Sequence, residues 1–394
     1  MSLSDLQPLG LDPILSIAAR VARDPRPERV DFGIGVYRDA EGHSPIFAAV
    51  KAAEARIARD QRTKAYLSPL GDTRFVAAMS AAAFGEHLAF AGLQTVGGTG
   101  ALHLAMHVLA ATGSGRKVVL GTPTWPNHAP IAASAGLGIR TYAHRADVGG
   151  AFDPAPLLQA IATCSAGDVF VLHGCCHNPT GIDPNLAQWQ DIAAAIAAAG
   201  ALPLIDLAYQ GFGEGWAEDQ AVVALFHDAV PELLVAYSCD KNFGLYRDRV
   251  GMLTVKGRDA TSGQMIVQHL AAAARTAYSM PPDHGAVVVR TILEDAELSR
   301  LWRSELDAMR ARLASLRQAF AMALEARGLG QPCLSRGFGM FGMLDVAPGD
   351  VEQLTERFAI FLPPSGRINL AALTDATIER LADALLAVRA GEYA

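Results

Sequence analysis

Apolar runs of strand length alternate with longer helical patterns through the middle of the chain, and this alternation constrains the fold most strongly. The predicted strands are KVVLGTP, GIRTYAH, DVFVLHG, ALPLIDLAY, ELLVAYS and VGMLTV. The predicted helices between and before them are ALHLAMHVLAATG, PAPLLQAIATC and LAQWQDIAAAIAAAG, and the last of these should stop at Gly200. Such alternation predicts an α/β fold in which helices cover both faces of a mostly parallel sheet.

The pattern changes in the last third of the chain. A long helix is predicted from about Leu298 to Arg327, with Gly328 as its stop, and it would connect two parts of the molecule. Short strands are then predicted in MFGMLDV, FAIFLPPS and RINLA, followed by a closing helix around Asp375 to Ala390.

The segment LLVAYSCDKNFGLYRDRVG carries the most specific chemical signal. Lys241 follows an apolar strand, and desolvation there would lower its pKa and free an amine for Schiff-base chemistry. Ser238 and Arg249 could hold a phosphate through a hydroxyl and a charged fork. An amine with a phosphate grip is what pyridoxal phosphate requires. Alone the pattern is weak, because most lysines at strand ends are simply solvated.

Other strand ends supply polar groups that would complete such a site. ALPLIDLAYQGFGEG delivers Asp206, which could pair with a protonated ring nitrogen, and Tyr209, which could donate to a ring oxygen. Asn178 in HGCCHNPTG could donate to the same oxygen, and Trp125 in TPTWPNH offers a flat face for stacking on the ring. Each residue also has a structural explanation as a cap or a core side chain. Together, at the ends of successive strands, they indicate a ligand site.

Small residues in VGGTGALHLA precede a helical pattern and indicate an anion site. Backbone N–H groups of Gly98, Thr99 and Gly100 could meet a phosphate at the N-terminus of that helix.

Composition excludes several other classes of protein. The 394 residues are 51% hydrophobic and 19% charged, which suits a well-buried protein of two domains. A net charge of -7 and the lack of a basic run argue against nucleic-acid binding. No apolar run approaches the ~20 residues of a membrane span, and the opening MSLSDLQPLG lacks the features of a signal peptide. Five cysteines make a disulfide framework improbable, so a soluble cytoplasmic enzyme is expected.

From about Leu11 to Leu386 the chain resembles the aspartate and aromatic amino acid aminotransferases, which are class I pyridoxal-phosphate transaminases of fold type I. The resemblance is carried by DFGIGVYRD, TKAYLSPLGD, GGTGAL, PTWPNH, HGCCHNPTGIDP, DLAYQGF, KNFGLYRDRVG, YSMPPDHGA, GMFG and SGRIN. It implies a large cofactor-binding domain, residues 46–309, with a mostly parallel seven-stranded sheet flanked by helices. A smaller α+β domain would form from residues 1–45 and 310–394.

The resemblance also implies catalytic roles in a ping-pong reaction. Lys241 would hold pyridoxal phosphate through a Schiff base and then move a proton between the substrate Cα and the cofactor C4′. Asp206 would stabilise the protonated ring, with His173 behind it as a partner. Tyr209 and Asn178 would tune the pKa of the imine through the ring oxygen.

The phosphate would be held partly across a subunit interface. The resemblance implies that the chain forms a homodimer in which Tyr66 of one subunit reaches the phosphate of the other. The remaining phosphate contacts would come from Ser238, Arg249, Gly98 and Thr99.

Two arginines bear on the substrate. Arg367 in SGRIN matches the family's clamp for the α-carboxylate, where a planar fork suits a planar anion. Arg275 in AARTAYSMPP aligns with the arginine that reaches across the dimer to a side-chain carboxylate. Dicarboxylic substrates and 2-oxoglutarate as acceptor are therefore expected. Gly35, Trp125 and Asn178 would complete the substrate site.

Four departures from aspartate-specific relatives favour a broader specificity. Where those relatives usually carry lysine, threonine, asparagine and asparagine, this chain has Arg38, Ser44, Ala65 and Met280. The loss of polar groups at Ala65 and Met280 leaves a more apolar pocket, which tolerates an aromatic ring better. The hypothesis is that the enzyme accepts both acidic and aromatic amino acids.

A further departure lies directly before the lysine, where Asp240 replaces a serine common in relatives. A carboxylate near the cofactor phosphate would repel it. If the strand stays extended there, Asp240 is expected to point away from Lys241, and Arg247 or Arg249 could neutralise it.

Other classes of protein fit the sequence less well. His173, Cys175, Cys176 and His177 fit no common zinc spacing, and adjacent cysteines at a strand end point to opposite faces, so no metal site is predicted. β-Lyases and decarboxylases of the same fold type need not keep Arg275, so its presence disfavours them. A regulator would need a DNA-binding module, for which the roughly ten residues before the family match are expected to leave no room.

Overall fold

The computed structural model describes residues 3–5, 13–113 and 115–391 of the chain. The strands in these residues are β1 (Val30–Asp31), β2 (Ala91–Val96), β3 (Lys117–Thr122), β4 (Gly138–Ala143), β5 (Val169–His173), β6 (Leu202–Leu207), β7 (Leu233–Ser238), β8 (Val250–Lys256), β9 (Phe341–Met343), β10 (Ile360–Phe361) and β11 (Arg367–Asn369). A seven-stranded sheet is formed in the order β2, β8, β7, β6, β5, β3, β4.

The predicted mostly parallel sheet is confirmed. Strands β3 to β7 run parallel to one another, while β8 runs antiparallel to both β7 and β2. All six predicted strands of the alternating region are present. Strand β2 was not predicted, because AGLQTV contains glycine and glutamine in place of a continuous apolar run. Its pairing with β8, from Ala91 opposite Val255 to Val96 opposite Val250, is a tertiary contact that local pattern does not show.

The described residues also form helices, and several of them cover the two faces of this sheet. They are α1 (Pro13–Arg23), α2 (Ala48–Asp60), α3 (Thr73–Phe84), α4 (Gly97–Ala111), α5 (His128–Ser134), α6 (Ala155–Ala162), α7 (Leu186–Ala199), α8 (Trp216–Ala229), α9 (Ala260–Ala277), α10 (His284–Glu294), α11 (Ala296–Glu325), α12 (Pro332–Arg336), α13 (Pro348–Phe358) and α14 (Asp375–Arg389), with 3₁₀ turns at Leu3–Asp5 and Leu370–Ala372. Adjacent residues of β6 point to opposite faces. Leu204 packs in the cluster that contains Leu102 of α4, and Ile205 packs in the cluster that contains Trp189 of α7.

Helix ends follow the predicted signals. Asn185 caps α7 by accepting from the backbone N–H of Gln188, and the side chain of Gln188 accepts from the backbone of Asn185 in return. Gly200 ends the same helix in the left-handed conformation (φ 64°), as predicted. The long helix α11 is also confirmed. Its helical residues end at Glu325, three residues before the predicted stop at Gly328.

A second, smaller layer lies beside the central sheet. It contains the parallel pair β1 and β10, the antiparallel pair β9 and β11, and the closing helix α14, so the predicted short strands and final helix are confirmed. Helix α11 joins the two layers: its residues up to Leu313 pack in the core of the large sheet, whereas those from Leu316 onward pack in the core of the small layer. The domain bounds at 45/46 and 309/310 stay a prediction. No helix in the described ranges is long and apolar enough to cross a membrane.

Register places the polar strand ends side by side. His173 at the end of β5 is paired with Asp206 in β6, and Asp206 is paired with Ala236, two residues before the end of β7. Because parallel strands end at the same edge, the loops that follow β5, β6 and β7 meet there. Helix α4 begins at Gly97, immediately after β2, and points its N-terminus to the same edge.

Candidate active site

A pocket of about 400 Å³ opens at this edge of the sheet. It brings together eight residues predicted from sequence: Gly98, Thr99, Trp125, Asn178, Asp206, Tyr209, Ser238 and Lys241. Leu102, His173, Ala208 and Asp240 complete its lining.

The carboxylate of Asp206 ends a chain of hydrogen bonds. The backbone N–H of Asn178 donates to Nδ1 of His173 (3.4 Å), so Nε2 of His173 carries a hydrogen and donates to Oγ1 of Thr124 (3.0 Å). The hydroxyl of Thr124 then donates to Nδ1 of His128 (2.9 Å), and Nε2 of His128 donates to Oδ2 of Asp206 (2.9 Å). A single assignment of hydrogen positions therefore satisfies all of these hydrogen bonds.

These hydrogen bonds give Asp206 a different direct partner from the predicted one. His173 was expected behind the carboxylate, but it reaches Asp206 only through Thr124 and His128. His128 was missed, although it lies three residues after Trp125 in the quoted motif PTWPNH. A histidine at the start of a short helix shows no local sign that it faces a carboxylate on another strand. The pairing depends on how α5 sits over the sheet.

The electrostatic balance at Asp206 favours its ionised form. Burial by itself would raise the pKa of Asp206, but the hydrogen bond from His128 and the nearby amine of Lys241 outweigh it and hold the pKa below its usual value. Burial lowers the pKa of His173 to about 3. His173 is therefore neutral at physiological pH, in agreement with its place in the hydrogen-bond chain.

Lys241 and Tyr209 lie close together across the pocket. The amine Nζ of Lys241 is 5.2 Å from the centre of the Tyr209 ring. Burial raises the pKa of Tyr209 above its ordinary value, so the phenol keeps its proton and can donate a hydrogen bond. The amide Oδ1 of Asn178 is buried and has no hydrogen-bond partner among the described residues. Such an orphan in a pocket indicates a ligand that supplies the missing contact.

The N-terminus of α4 forms a close-fitting cradle. Gly97 has a left-handed backbone (φ 64°), and a Cβ added there would lie 2.5 Å from Nη2 of Arg249. A Cβ at Gly98 would lie 3.0 Å from the Cβ of Ser238. Glycine is needed at both positions to bring the helix N-terminus, with its free N–H groups, against Ser238 and Arg249. A helix end of this kind attracts an anion.

Asp240 does not point away from Lys241, so that expectation is wrong. Strand β7 ends at Ser238, and the chain turns before Asp240, whose side chain lines the pocket beside Lys241. Neutralisation by Arg249 is confirmed, since its Nη1 lies 2.5 Å from Oδ2 of Asp240. Arg249 itself does not line the pocket, because Asp240 stands on the pocket side of the pair.

Arg367 and Gly35 flank the pocket without lining it. The guanidinium of Arg367 is buried, donates from Nη2 to the carbonyl of Gly33 (2.5 Å) and lies 4.7 Å from the centre of the Phe341 ring. A Cβ at Gly35 would approach the same ring to 3.1 Å. Phe341, which also meets Tyr209 edge to face with ring centres 6.0 Å apart, was not predicted as a site residue.

Tyr66 and Arg275 lie outside the pocket of their own chain. Tyr66 is 93% exposed, and Arg275 is exposed with its Nη1 bonded to Oγ of Ser279 (2.6 Å). Met280 lies against the segment that contains Tyr66, because its sulfur accepts from the backbone N–H of Leu67 (3.3 Å).

The remaining two departures are held by contacts within the chain. Arg38 lies 3.7 Å from the carboxylate of Asp31, and Ser44 donates to the carbonyl of Tyr37 (2.8 Å).

The cysteine and histidine cluster near the pocket is packed as a core. Cys175 and Cys176 are buried, and burial raises the pKa of Cys176 to about 11. His177 stacks on His144 with ring centres 3.5 Å apart. Within residues 3–5, 13–113 and 115–391, no group of three or more His, Cys, Asp or Glu side chains is arranged to hold a metal ion.

Comparison with known proteins identifies the family. Residues 27–385 match the family described as aminotransferase class I and II. The chain belongs to this family. It is therefore a pyridoxal-phosphate-dependent transaminase of fold type I, as the sequence motifs predicted.

Relatives of this aminotransferase fall into two substrate groups. It is 45% identical over 374 residues, 94% of this chain and 96% of the relative, to a tyrosine aminotransferase of Rhizobium meliloti. It is 39% identical over 385 residues, 96% of this chain and 97% of the relative, to the aspartate aminotransferase of Escherichia coli. A solved aromatic amino acid aminotransferase with 3-indolebutyric acid superposes with a TM-score of 0.94 at 40% identity, covering 98% of this chain and 100% of that one. These relatives favour a transaminase over a β-lyase or a decarboxylase.

The residues of this aminotransferase fit pyridoxal phosphate. An ionised buried carboxylate at Asp206 suits a cationic ring, and the side chain of Asn178 in the pocket lining can offer its amide N–H to a ring oxygen. The glycine cradle at the start of α4 suits a phosphate, and Lys241 supplies the amine. One solved relative, from Burkholderia pseudomallei, is described as covalently bound to pyridoxal phosphate. Asp240 is the member of the lining that suits an anion poorly.

Proposed function

We propose that this transaminase moves the amino group of both acidic and aromatic amino acids to 2-oxoglutarate in a ping-pong reaction. The observation that carries the substrate range is the contact between Met280 and the segment that holds Ala65, Tyr66 and Leu67. The two positions that would frame Arg275 with polar amides carry a thioether and a methyl group instead. Relatives named for tyrosine, for aromatic amino acids and for aspartate support the same range.

The pocket residues divide the work between proton transfer and charge stabilisation. Bound pyridoxal phosphate supplies an electron sink for the bond that is broken at the substrate α-carbon. Lys241 would act first as general base, taking the proton from that carbon, and then as general acid, giving it to the cofactor C4′. Asp206, kept ionised by His128, stabilises positive charge at the ring nitrogen. Tyr209 and Asn178 donate to the ring oxygen.

Substrate orientation falls to the groups beside the pocket. Arg367 is held by the carbonyl of Gly33 and by the face of Phe341, so its planar fork is oriented before a substrate binds. An oriented guanidinium binds a carboxylate through two parallel hydrogen bonds. In this proposal the α-carboxylate meets Arg367, with Gly35, Trp125 and Asn178 as neighbours. The phosphate meets Ser238, Arg249, Gly98 and Thr99.

We also propose a homodimer in which each subunit completes the site of the other. Support comes from the exposure of Tyr66 and from the position of Arg275 outside the pocket of its own chain. Mixing Lys241→Ala subunits with Arg275→Ala subunits and assaying with aspartate tests this, because each variant alone should have little activity on that substrate. A two-fold dimer would form hybrids with one intact site, restoring about a quarter of wild-type activity after random exchange. No recovery, with hybrids demonstrated by mass spectrometry, would contradict the shared site.

Substrate range is tested by specificity constants with 2-oxoglutarate as acceptor. Dual activity requires kcat/KM for phenylalanine within ~1,000-fold, or about 4 kcal/mol, of that for aspartate, and a larger gap would rule it out. Arg275→Ala should lower the aspartate value and spare the phenylalanine value. Met280→Asn and Ala65→Asn should shift the ratio toward aspartate. Absorbance of the bound cofactor should change on separate addition of either amino acid.

The predicted cytoplasmic location is a separate proposal, checked by fractionating cells that express the chain.

A further inference from the structure

A carboxylate lies in the part of the pocket that should receive an anion. Asp240 is only 6% exposed, and its Oδ2 contacts Nη1 of Arg249 at 2.5 Å. Its other oxygen, Oδ1, is buried without a hydrogen-bond partner among the described residues. The backbone N–H of Asp240 donates to Oγ of Ser238 (3.2 Å), and Ser238 is also the residue that a Cβ at Gly98 would meet.

The guanidinium of Arg249 lies at the start of α4, and it is already paired with Asp240. Besides Asp240, Nη1 of Arg249 donates to the carbonyl of Tyr246 (3.1 Å), while Nη2 faces Gly97. A bound phosphate carries a charge of about −1.5 to −2 near neutral pH. It would meet a cradle whose arginine is neutralised by a carboxylate, and that carboxylate lies on the pocket side of the pair.

We propose that Asp240 competes with the cofactor phosphate for Arg249, so that cofactor binding exchanges a carboxylate contact for a phosphate contact at the same guanidinium. The inference rests on the proposed placement of the phosphate against Arg249 and the N-terminus of α4. Its consequence is a site that holds the phosphate less tightly than its other residues allow. Asp240 thus sets the affinity for the phosphate group without touching the reacting atoms.

The geometry favours competition over a purely structural ion pair. A buried carboxylate that stabilises a fold has both oxygens satisfied, because an unpartnered buried oxygen is unfavourable. Oδ1 of Asp240 lacks such a partner, and the orientation of Arg249 is also defined by the carbonyl of Tyr246. The ion pair therefore leaves Oδ1 of Asp240 unsatisfied, and a phosphate that replaced the carboxylate would find a guanidinium already oriented by the carbonyl of Tyr246.

The test measures binding to the cofactor-free protein by titration calorimetry. Pyridoxamine phosphate and pyridoxamine differ only in the phosphate, and neither has the aldehyde that would bond to Lys241. Asp240→Asn keeps the shape of the side chain and removes its charge, and it should lower the Kd for pyridoxamine phosphate by about tenfold or more, which is 1.4 kcal/mol. The Kd for pyridoxamine should stay within about twofold, since the competition involves only the phosphate.

One control variant and one repeat of the test separate competition at Arg249 from a general effect of removing a negative charge. Asp248→Asn removes the same charge one residue before Arg249, from a side chain that lies near Gly285 and does not line the pocket, so it should leave both Kd values unchanged. Asp240→Ser repeats the test with a small hydroxyl, should one variant fail to fold. Unchanged or weaker binding of pyridoxamine phosphate to folded Asp240→Asn and Asp240→Ser would overturn the proposal, since it would show that Asp240 does not oppose the phosphate.

An Arg249→Ala variant distinguishes failure of this inference from failure of the proposed site. If Arg249→Ala prefers pyridoxamine phosphate over pyridoxamine as strongly as wild type does, the phosphate does not meet Arg249 and the proposed placement itself is wrong. If Arg249→Ala loses the preference while Asp240→Asn binds like wild type, the placement holds and only the competition is refuted. Loss in Arg249→Ala together with tighter binding in Asp240→Asn supports both.

Discussion

Replacing His128 with leucine removes the imidazole that donates to Asp206 while it keeps an apolar side chain in the same buried place. The lost contact is a 2.9 Å hydrogen bond to an ionised carboxylate, and His128 is 1% exposed. Hydrogen bonds to charged groups contribute about 1.5–3 kcal/mol. Removing one partner of a fully buried ion pair lowers the free energy of unfolding by more, about 3–5 kcal/mol. The smaller value applies here because Asp206 borders the pocket and meets water there. We therefore expect the free energy of unfolding to fall by about 2–3 kcal/mol.

The assay is urea denaturation of the cofactor-free protein, with all variants at one protein concentration because subunit association would affect apparent stability. A double-mutant cycle with Asp206→Leu isolates the pair from the cavity left by either change. The coupling energy should be about 1.5–3 kcal/mol, with the double variant more stable than the sum of the single losses implies. His87→Leu, a change of the same type at an exposed histidine, should alter stability by less than ~0.5 kcal/mol. A coupling energy below ~0.5 kcal/mol would refute the reasoning, since the carboxylate would then not depend on His128.

Three further predictions follow from the same geometry. Lys241→Ala should lower turnover by several orders of magnitude at saturating cofactor, and near-normal steady-state turnover would contradict its role in proton transfer. Gly98→Ala should raise the Kd for pyridoxamine phosphate by about tenfold or more, because the new Cβ would lie 3.0 Å from the Cβ of Ser238. The control is Gly113→Ala, whose Cβ would meet nothing within 4 Å and which should bind as wild type does. Equal Kd values for the two variants would show that the cradle is not used. Burial lowers the pKa of His144 from 6.5 to about 4, so the unfolded chain takes up a proton at this residue first as the pH falls. The stability that buried, neutral His144 contributes is therefore fully present above the unfolded pKa and is lost as the pH falls below it. The free energy of unfolding should therefore fall by about 2 kcal/mol between neutral pH and pH 5 on account of this residue, and a pH profile of His144→Gln as steep as that of wild type would argue against it.

Several features of the fold were predictable because they depend on local chemistry. Continuous apolar runs such as DVFVLHG can be buried on both faces only as central strands, and β5 is buried along its whole length. Gly200 ends α7 because glycine adopts the left-handed conformation without strain. Strand β2 escaped prediction because its side chains are ordinary for an edge strand, and its place is decided by the partner β8.

The candidate site divides in the same way. Lys241, Asp206, Tyr209 and Asn178 were predictable from their motifs, since each follows a strand and strand ends meet at one edge. The side on which Asp240 lies was not predictable, because the expectation assumed an extended strand and the chain turns after Ser238.

The sequence by itself determined the alternation of strands and helices in the middle of the chain, the chemical groups at the strand ends and the family to which the chain belongs. Those properties reside in apolar periodicity, in capping residues and in short motifs, which act over a few neighbouring positions. Only the tertiary structure decided that His128, through Thr124, is the partner that links His173 to Asp206, and that Asp240 occupies Arg249 at the mouth of the glycine cradle. Those contacts depend on strand register, on the path of a turn and on the seat of a helix over the sheet, and each joins residues that no local pattern relates.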